Sequence, residues 1–165
     1  MILDILKYPD NRLRTVAKPV EIVNTEIKQQ VKDMFETMYD APGIGLAATQ
    51  VNFHQRIIVI DVSDECNQPL CLINPEIIEK NGEIEWEEGC LSVPNYYESI
   101  KRANEIKVSA LNQEGQTFKI NANEVLAVCI QHEMDHLNGI LFVDHLSKLK
   151  QKRLQKKAQK QTKKF

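Results

Sequence analysis

The chain has 165 residues, long enough for one domain with a real core and too short for two large ones. Hydrophobic residues make up 42% and charged residues 27%, the ordinary balance of a globular protein. The longest apolar run, Val125 to Ile130, is far too short to cross a bilayer, so no membrane partner is expected. The opening Met1-Ile2-Leu3-Asp4-Ile5-Leu6-Lys7 lacks a basic start and carries an acid inside its apolar run, unlike a signal peptide. A cytoplasmic setting follows as the expectation, with Cys66, Cys71, Cys90 and Cys129 reduced or bound to metal. The net charge of −2 conceals an uneven distribution. Residues 1–147 hold 12 Lys/Arg against 23 Asp/Glu, whereas residues 148–165 hold nine Lys/Arg and no acid.

Residues 8–20 read as an irregular leader, with a turn at Pro9-Asp10-Asn11 and a helix-breaking Pro19. Asn24 or Thr25 then caps a helix to about Asp40, whose Ile27, Val31, Met34, Phe35 and Met38 fall on one core-facing side. Pro42-Gly43-Ile44-Gly45 ends it. Arg56 to Val62 is rich in β-branched residues and predicts a buried strand. Leu70 to Ile78 predicts another, interrupted at Asn74-Pro75 by an edge or a bulge. Glu83 to Glu88 alternates acids with Ile84 and Trp86, a half-buried pattern. Glu105 to Leu111 and Thr117 to Ile120 flank Asn112-Gln113-Glu114-Gly115, a hairpin signature. Asn123 caps a helix from Glu124 to about Asn138, with Gly139 as its stop, and Ser147 caps a last helix from Lys148. The fold class is α+β, with largely antiparallel sheet packed around a central helix and a further C-terminal helix. Residues 1–147 form the main body, the part any chemistry must come from, and residues 148–165 a basic helical tail of the same domain.

Chemistry enters at Gln131-His132-Glu133-Met134-Asp135-His136-Leu137. Two histidines four residues apart project from one side of a helix and can reach one metal ion. Glu133, beside the first, can reach a water at that metal. The preceding Val125-Leu126-Ala127-Val128-Cys129-Ile130 is apolar all round, so the helix is expected to be buried, where histidines and an acid need partners. No Glu follows Glu133, and Phe142 stands where an extended motif would place a third histidine. Asp144 and His145 lie beyond the Gly139 stop. The better third ligand lies upstream, in Glu88-Gly89-Cys90-Leu91-Ser92-Val93-Pro94, where Gly89 permits a tight turn that aims Cys90. Cys90, His132 and His136 would leave one coordination position open, as a catalytic site requires and a structural one does not. Taken alone, Cys90 is more often a small buried hydrophobe.

With Gly43-Ile44-Gly45-Leu46-Ala47-Ala48-Thr49-Gln50, Glu88-Gly89-Cys90-Leu91-Ser92 and the histidine stretch together, the chain resembles the peptide deformylases. The three motifs stand in that family's order and at its usual separations. Leu6 to Arg14 is also similar to the family's N-terminal segment. The resemblance implies that Cys90, His132 and His136 bind a divalent metal and that Glu133 is general base and then acid. It implies that Gln50, through its side-chain amide, and Leu91, through its backbone N–H, stabilise the oxyanion. One such donor lowers the barrier by roughly 3 kcal/mol. The implied reaction removes the N-formyl group from formyl-methionyl nascent peptides, giving formate and a free amine. The implied ion is Fe2+, with Zn2+, Ni2+ or Co2+ able to substitute, although raw affinity favours zinc over ferrous iron.

Gly43 and Gly45 let the backbone approach substrate closely. Val125, Val128 and Cys129 on the helix, Ile44 across the cleft and Trp86 are candidates for an apolar slot holding methionine; each is as readily ordinary core. Cys129, one turn before His132, is read as a buried thiol rather than a ligand, and Arg102 as paired with an acid the sequence does not identify. The tail, Lys148 to Lys164, is either a solvated helix or an electrostatic contact with ribosomal RNA or protein. Two other readings compete: a metallopeptidase cutting internal amide bonds, and an RNA-binding module with a structural metal.

Overall fold

The computed structural model describes residues 1–163. Asn24 accepts a hydrogen bond from Ile27 N (3.0 Å) and starts helix α1, Thr25–Asp40. Next come strand β1, Gly45–Ala47, a 3-10 turn at Ala48–Val51, and strand β2, Ile57–Ile60. Strands β3 (Leu70–Asn81), β4 (Ile84–Cys90), β5 (Val93–Arg102), β6 (Glu105–Leu111) and β7 (Thr117–Asn123) follow. Helix α2, Glu124–Leu137, a second short 3-10 turn and helix α3, Lys148–Lys163, end the described chain. No helix among the described residues is long and apolar enough to cross a membrane.

The strands form one five-stranded antiparallel sheet in the order β1-β2-β3-β6-β7 and a separate antiparallel ribbon, β4-β5. All four residues of β2 are buried because both faces of the large sheet are covered. Ile58 and Ile60 point into a cluster with Ala127 and Ile130 of α2, while Ile57 and Val59 meet Val31, Met34 and Met38 of α1. An unbroken β-branched run is what a strand covered on both sides needs. A third cluster (Leu6, Leu13, Val93, Ile100, Leu141 and Phe142) joins the N-terminal segment to the ribbon, and Leu154 of α3 is buried in it.

The expected α+β architecture is present. At Asn74-Pro75 the chain continues through a bulge in β3, an interior strand, not an edge. Asn74 takes φ 52°, and its side chain bonds Val20 N and Val20 O at 2.8 Å each. Strand β5 had no alternation to announce it, since Pro94 and a left-handed Asn95 (φ 62°) interrupt its start. Asn123 stands at the N-cap of α2 as expected, but its side chain makes no capping bond. The chain enters α2 through a left-handed Glu124 (φ 51°), whose N–H bonds Asn104 O instead. Gly139 has φ 73° and ends α2, and Ser147 Oγ accepts from Lys150 N at the start of α3. The basic tail is thus a helix with one side docked on the body; its last expected residues, Lys164 and Phe165, lie outside the described residues.

Candidate metal centre

Three parts of the chain meet at one point. The α2 helix crosses β1, so the side chains one helical turn apart on its buried side look toward Gly45 and the end of β4. His132 and His136 present their Nε2 atoms to each other at 3.3 Å, with ring centroids 5.0 Å apart. Cys90 closes β4, and its Sγ lies 3.3 Å from His136 Nε2. The three ligating atoms all lie within 4.8 Å of one another. Both histidines are buried, and His136 is fully so.

Glu133 is buried beside this group, with Oε1 3.7 Å from His132 Nε2 and Oε2 making no hydrogen bond. Gln50, 1% exposed, comes from the 3-10 turn after β1. Its Oε1 accepts from Ala47 N at 2.8 Å, while its Nε2 donates to Ser92 Oγ at 3.0 Å and lies 3.6 Å from Cys90 Sγ. Leu91 forms the turn between β4 and β5, and its carbonyl accepts from Lys7 Nζ at 2.8 Å.

In front of the cluster lies an open cavity of about 550 Å³. Cys90, Leu91, His132 and Glu133 line it, and so do Ile44, Gly45, Val128 and Cys129. Val125 and Trp86 add apolar wall, Ile44 and Trp86 being half exposed at the mouth. Of the residues expected to bind metal, catalyse or hold substrate, Cys90, Leu91, His132, Glu133, Ile44, Gly45, Val128 and Cys129 line the cavity, and Gln50 and His136 lie directly behind its wall.

The polypeptide deformylase family model matches residues 2–152. The peptide deformylase of Pseudoalteromonas translucida is 58% identical over 161 residues, covering 98% of this chain and 96% of that protein. The crystal structure of a peptide deformylase from Legionella pneumophila matches with a TM-score of 0.94 at 46% identity, covering 99% of this chain and 96% of that one. A complex of the Ehrlichia chaffeensis peptide deformylase with actinonin matches with a TM-score of 0.93 at 42% identity, covering 97% of each chain. The chain belongs to the polypeptide deformylase family. It is therefore an enzyme, a metal-dependent hydrolase, and Cys90, His132 and His136 form a group that could hold a metal ion beside an open cavity.

Burial and neighbouring charges shift the two histidines of this deformylase in opposite directions. Burial would strip a proton from His132, yet Cys90 and Glu88 pull its pKa well above the ordinary value. His136, by contrast, is held well below the ordinary value by burial and by the charges of His132 and Arg102, so its ring offers a lone pair. Burial pushes Glu133 up to about 7, with His132 opposing and Glu88 adding to the rise. Burial also pushes the Cys129 thiol well up, with Glu133 adding, and its Sγ lies 3.9 Å from Ile44 O. That agrees with a protonated, non-ligating thiol.

One group escaped the sequence reading. Glu88 Oε1 lies 2.9 Å from His132 Nδ1, and both its oxygens receive the Arg102 guanidinium at 2.8 and 2.9 Å. Arg102 also donates to Asp135 at 2.7 Å, and Asp135 meets His145 Nε2 at 3.0 Å. Burial works against charge on Glu88, but Arg102 and His132 outweigh it and hold the carboxyl down at about 2. Glu88 opens the Glu88-Gly89-Cys90-Leu91-Ser92 motif. Its partners, 14 and 44 residues away, follow only from the β4–β5 register and the packing of α2.

Proposed function

We propose that this deformylase removes the N-formyl group from the terminal formyl-methionine of new peptides with Cys90, His132 and His136 holding a divalent ion. Glu133 moves the proton, and Gln50 and the Leu91 N–H receive the oxyanion. The observation that carries this reading is the convergence of one sulfur and two imidazole nitrogens beside a buried carboxylate, at the wall of a cavity. The donor set fits such an ion: with Nδ1 of His132 engaged by Glu88, its Nε2 is left for the cluster. A bound metal supplies Lewis acidity and lowers the pKa of a water. The family and the thiolate–imidazole set favour Fe2+ in the cell, with Zn2+, Ni2+ or Co2+ as substitutes.

Glu133 accepts a proton from the attacking water as its oxygen bonds to the formyl carbon. It then delivers that proton to the nitrogen as the C–N bond breaks, leaving formate and the free amine. The N–H groups of Gln50 and Leu91 donate to the oxyanion between these steps. Ile44, Gly45, Val128 and Cys129 receive the methionine side chain, and Val125 and Trp86 extend that wall. Gly45 is required because any Cβ there would collide with Cys129 and crowd Glu133.

Exposed lysines on α3 support a further assignment: the docked basic helix holds the enzyme to ribosomal RNA near emerging chains. The test of the chemistry is anaerobically purified protein assayed on formyl-Met-Ala-Ser and on casein side by side. Formate release with intact casein is the expected outcome. Casein cleavage without formate would replace this reading with an internal metallopeptidase.

A further inference from the structure

The Gln50 amide is a donor only if it faces the right way and stays there. Its orientation is decided by bonding, not by assignment. Ala47 N can only donate, so the atom 2.8 Å from it must be Oε1. The opposite end then carries two N–H groups. Nε2 donates to Ser92 Oγ at 3.0 Å and, on the side of the metal cluster, to Cys90 Sγ at 3.6 Å. Ser92 is completely buried, so no solvent competes for its oxygen.

We infer that Ser92 is a positioning residue for the reaction: its hydroxyl holds one Gln50 N–H, which keeps the other on the Cys90 side of the amide, where a substrate oxygen can take it over from the long bond to sulfur. The inference rests on Gln50 being an oxyanion donor. Backbone bonds keep the pair in register. Leu6 N donates to Gln50 O and Tyr8 N to Ser92 O, both at 2.7 Å, so the N-terminal segment ties the turn after β1 to the β4–β5 turn. With the hydroxyl gone, the amide keeps its anchor at Ala47 but can swing about it, and preorganisation is lost.

Removing an oxyanion donor costs on the order of 10²-fold in kcat. Loosening one is expected to cost about tenfold. The experiment is a cycle of Ser92→Ala, Gln50→Ala and the double variant, each with metal content and Tm recorded and with kcat and KM measured on formyl-Met-Ala-Ser. We expect Ser92→Ala to lower kcat about tenfold with KM within about twofold, and to cost nothing further once Gln50 is alanine. A hydroxyl with a general packing role would cost as much in the Gln50→Ala background, and that result overturns the inference, as does an unchanged kcat in Ser92→Ala. An unchanged kcat in Gln50→Ala instead overturns the oxyanion assignment itself, so the two failures are distinguishable.

Discussion

A Cβ added at Gly45 would stand 2.8 Å from Cys129 Sγ and 3.1 Å from Glu133 Oε1. Gly45→Ala must therefore displace the thiol, the carboxylate or the backbone of β1. Misplacing a proton-transfer group by about an ångström costs on the order of 10²-fold in rate. We expect Gly45→Ala to lose about that much in kcat/KM while keeping its bound metal, and Gly45→Ala/Cys129→Ala to recover part of it. Full activity in Gly45→Ala would show that the crowding is relieved cheaply. At this scale the sequence was most legible where chemistry has a fixed spacing. Two histidines four apart on a buried helix restrict what they can do, and a cysteine after glycine completes the set. Arg102 was legible as paired with an acid but not with which one, and the role of Ser92 was not legible, because the partners stand 14 and 42 residues away.

The ribbon and the central helix are joined by a buried ion network, and its keystone is Arg102. Its side chain is 5% exposed between Glu88 and Asp135. Removing one partner from such a group leaves charges uncompensated inside, at a cost of roughly 3–5 kcal/mol. Arg102→Ala should lose stability of that order in denaturant unfolding, and weaken metal retention because Glu88 no longer holds the His132 ring. A change under about 1 kcal/mol would mean the network is hydrated and adds little. Among the elements, α1 was readable from its helical spacing, β2 from its unbroken β-branched run, the β6–β7 hairpin from its turn residues, and α2 from its cap, stop and histidine spacing. Strand β5 was not. Its pairing with β4 comes from cross-strand register, while Pro94 and Asn95 locally argue against a strand.

Over the whole molecule, an acidic body carries a basic α3, and the proposed ribosome contact belongs to this scale. Leu154 fastens α3 to the body, whereas Lys152, Lys156 and Lys157 are exposed and lie away from the cavity. Changing these three to glutamine should leave formate release from a short peptide unchanged. It should also lower the salt slope of ribosome binding by roughly 2, as expected for three lost phosphate contacts. An unchanged slope would assign α3 a packing role alone. The charge division was visible in composition, but the docking of the helix depends on Leu154 finding the third cluster.

The central claim is that Glu133 carries the proton for deformylation without being needed to hold the metal. The most direct measurement is formate release from formyl-Met-Ala-Ser by anaerobic Glu133→Ala protein, beside the parent, with metal counted in both. Equal metal content and a rate lower by roughly 10²–10⁴-fold are expected. A metal-loaded Glu133→Ala protein that releases formate at the parent rate would contradict the claim.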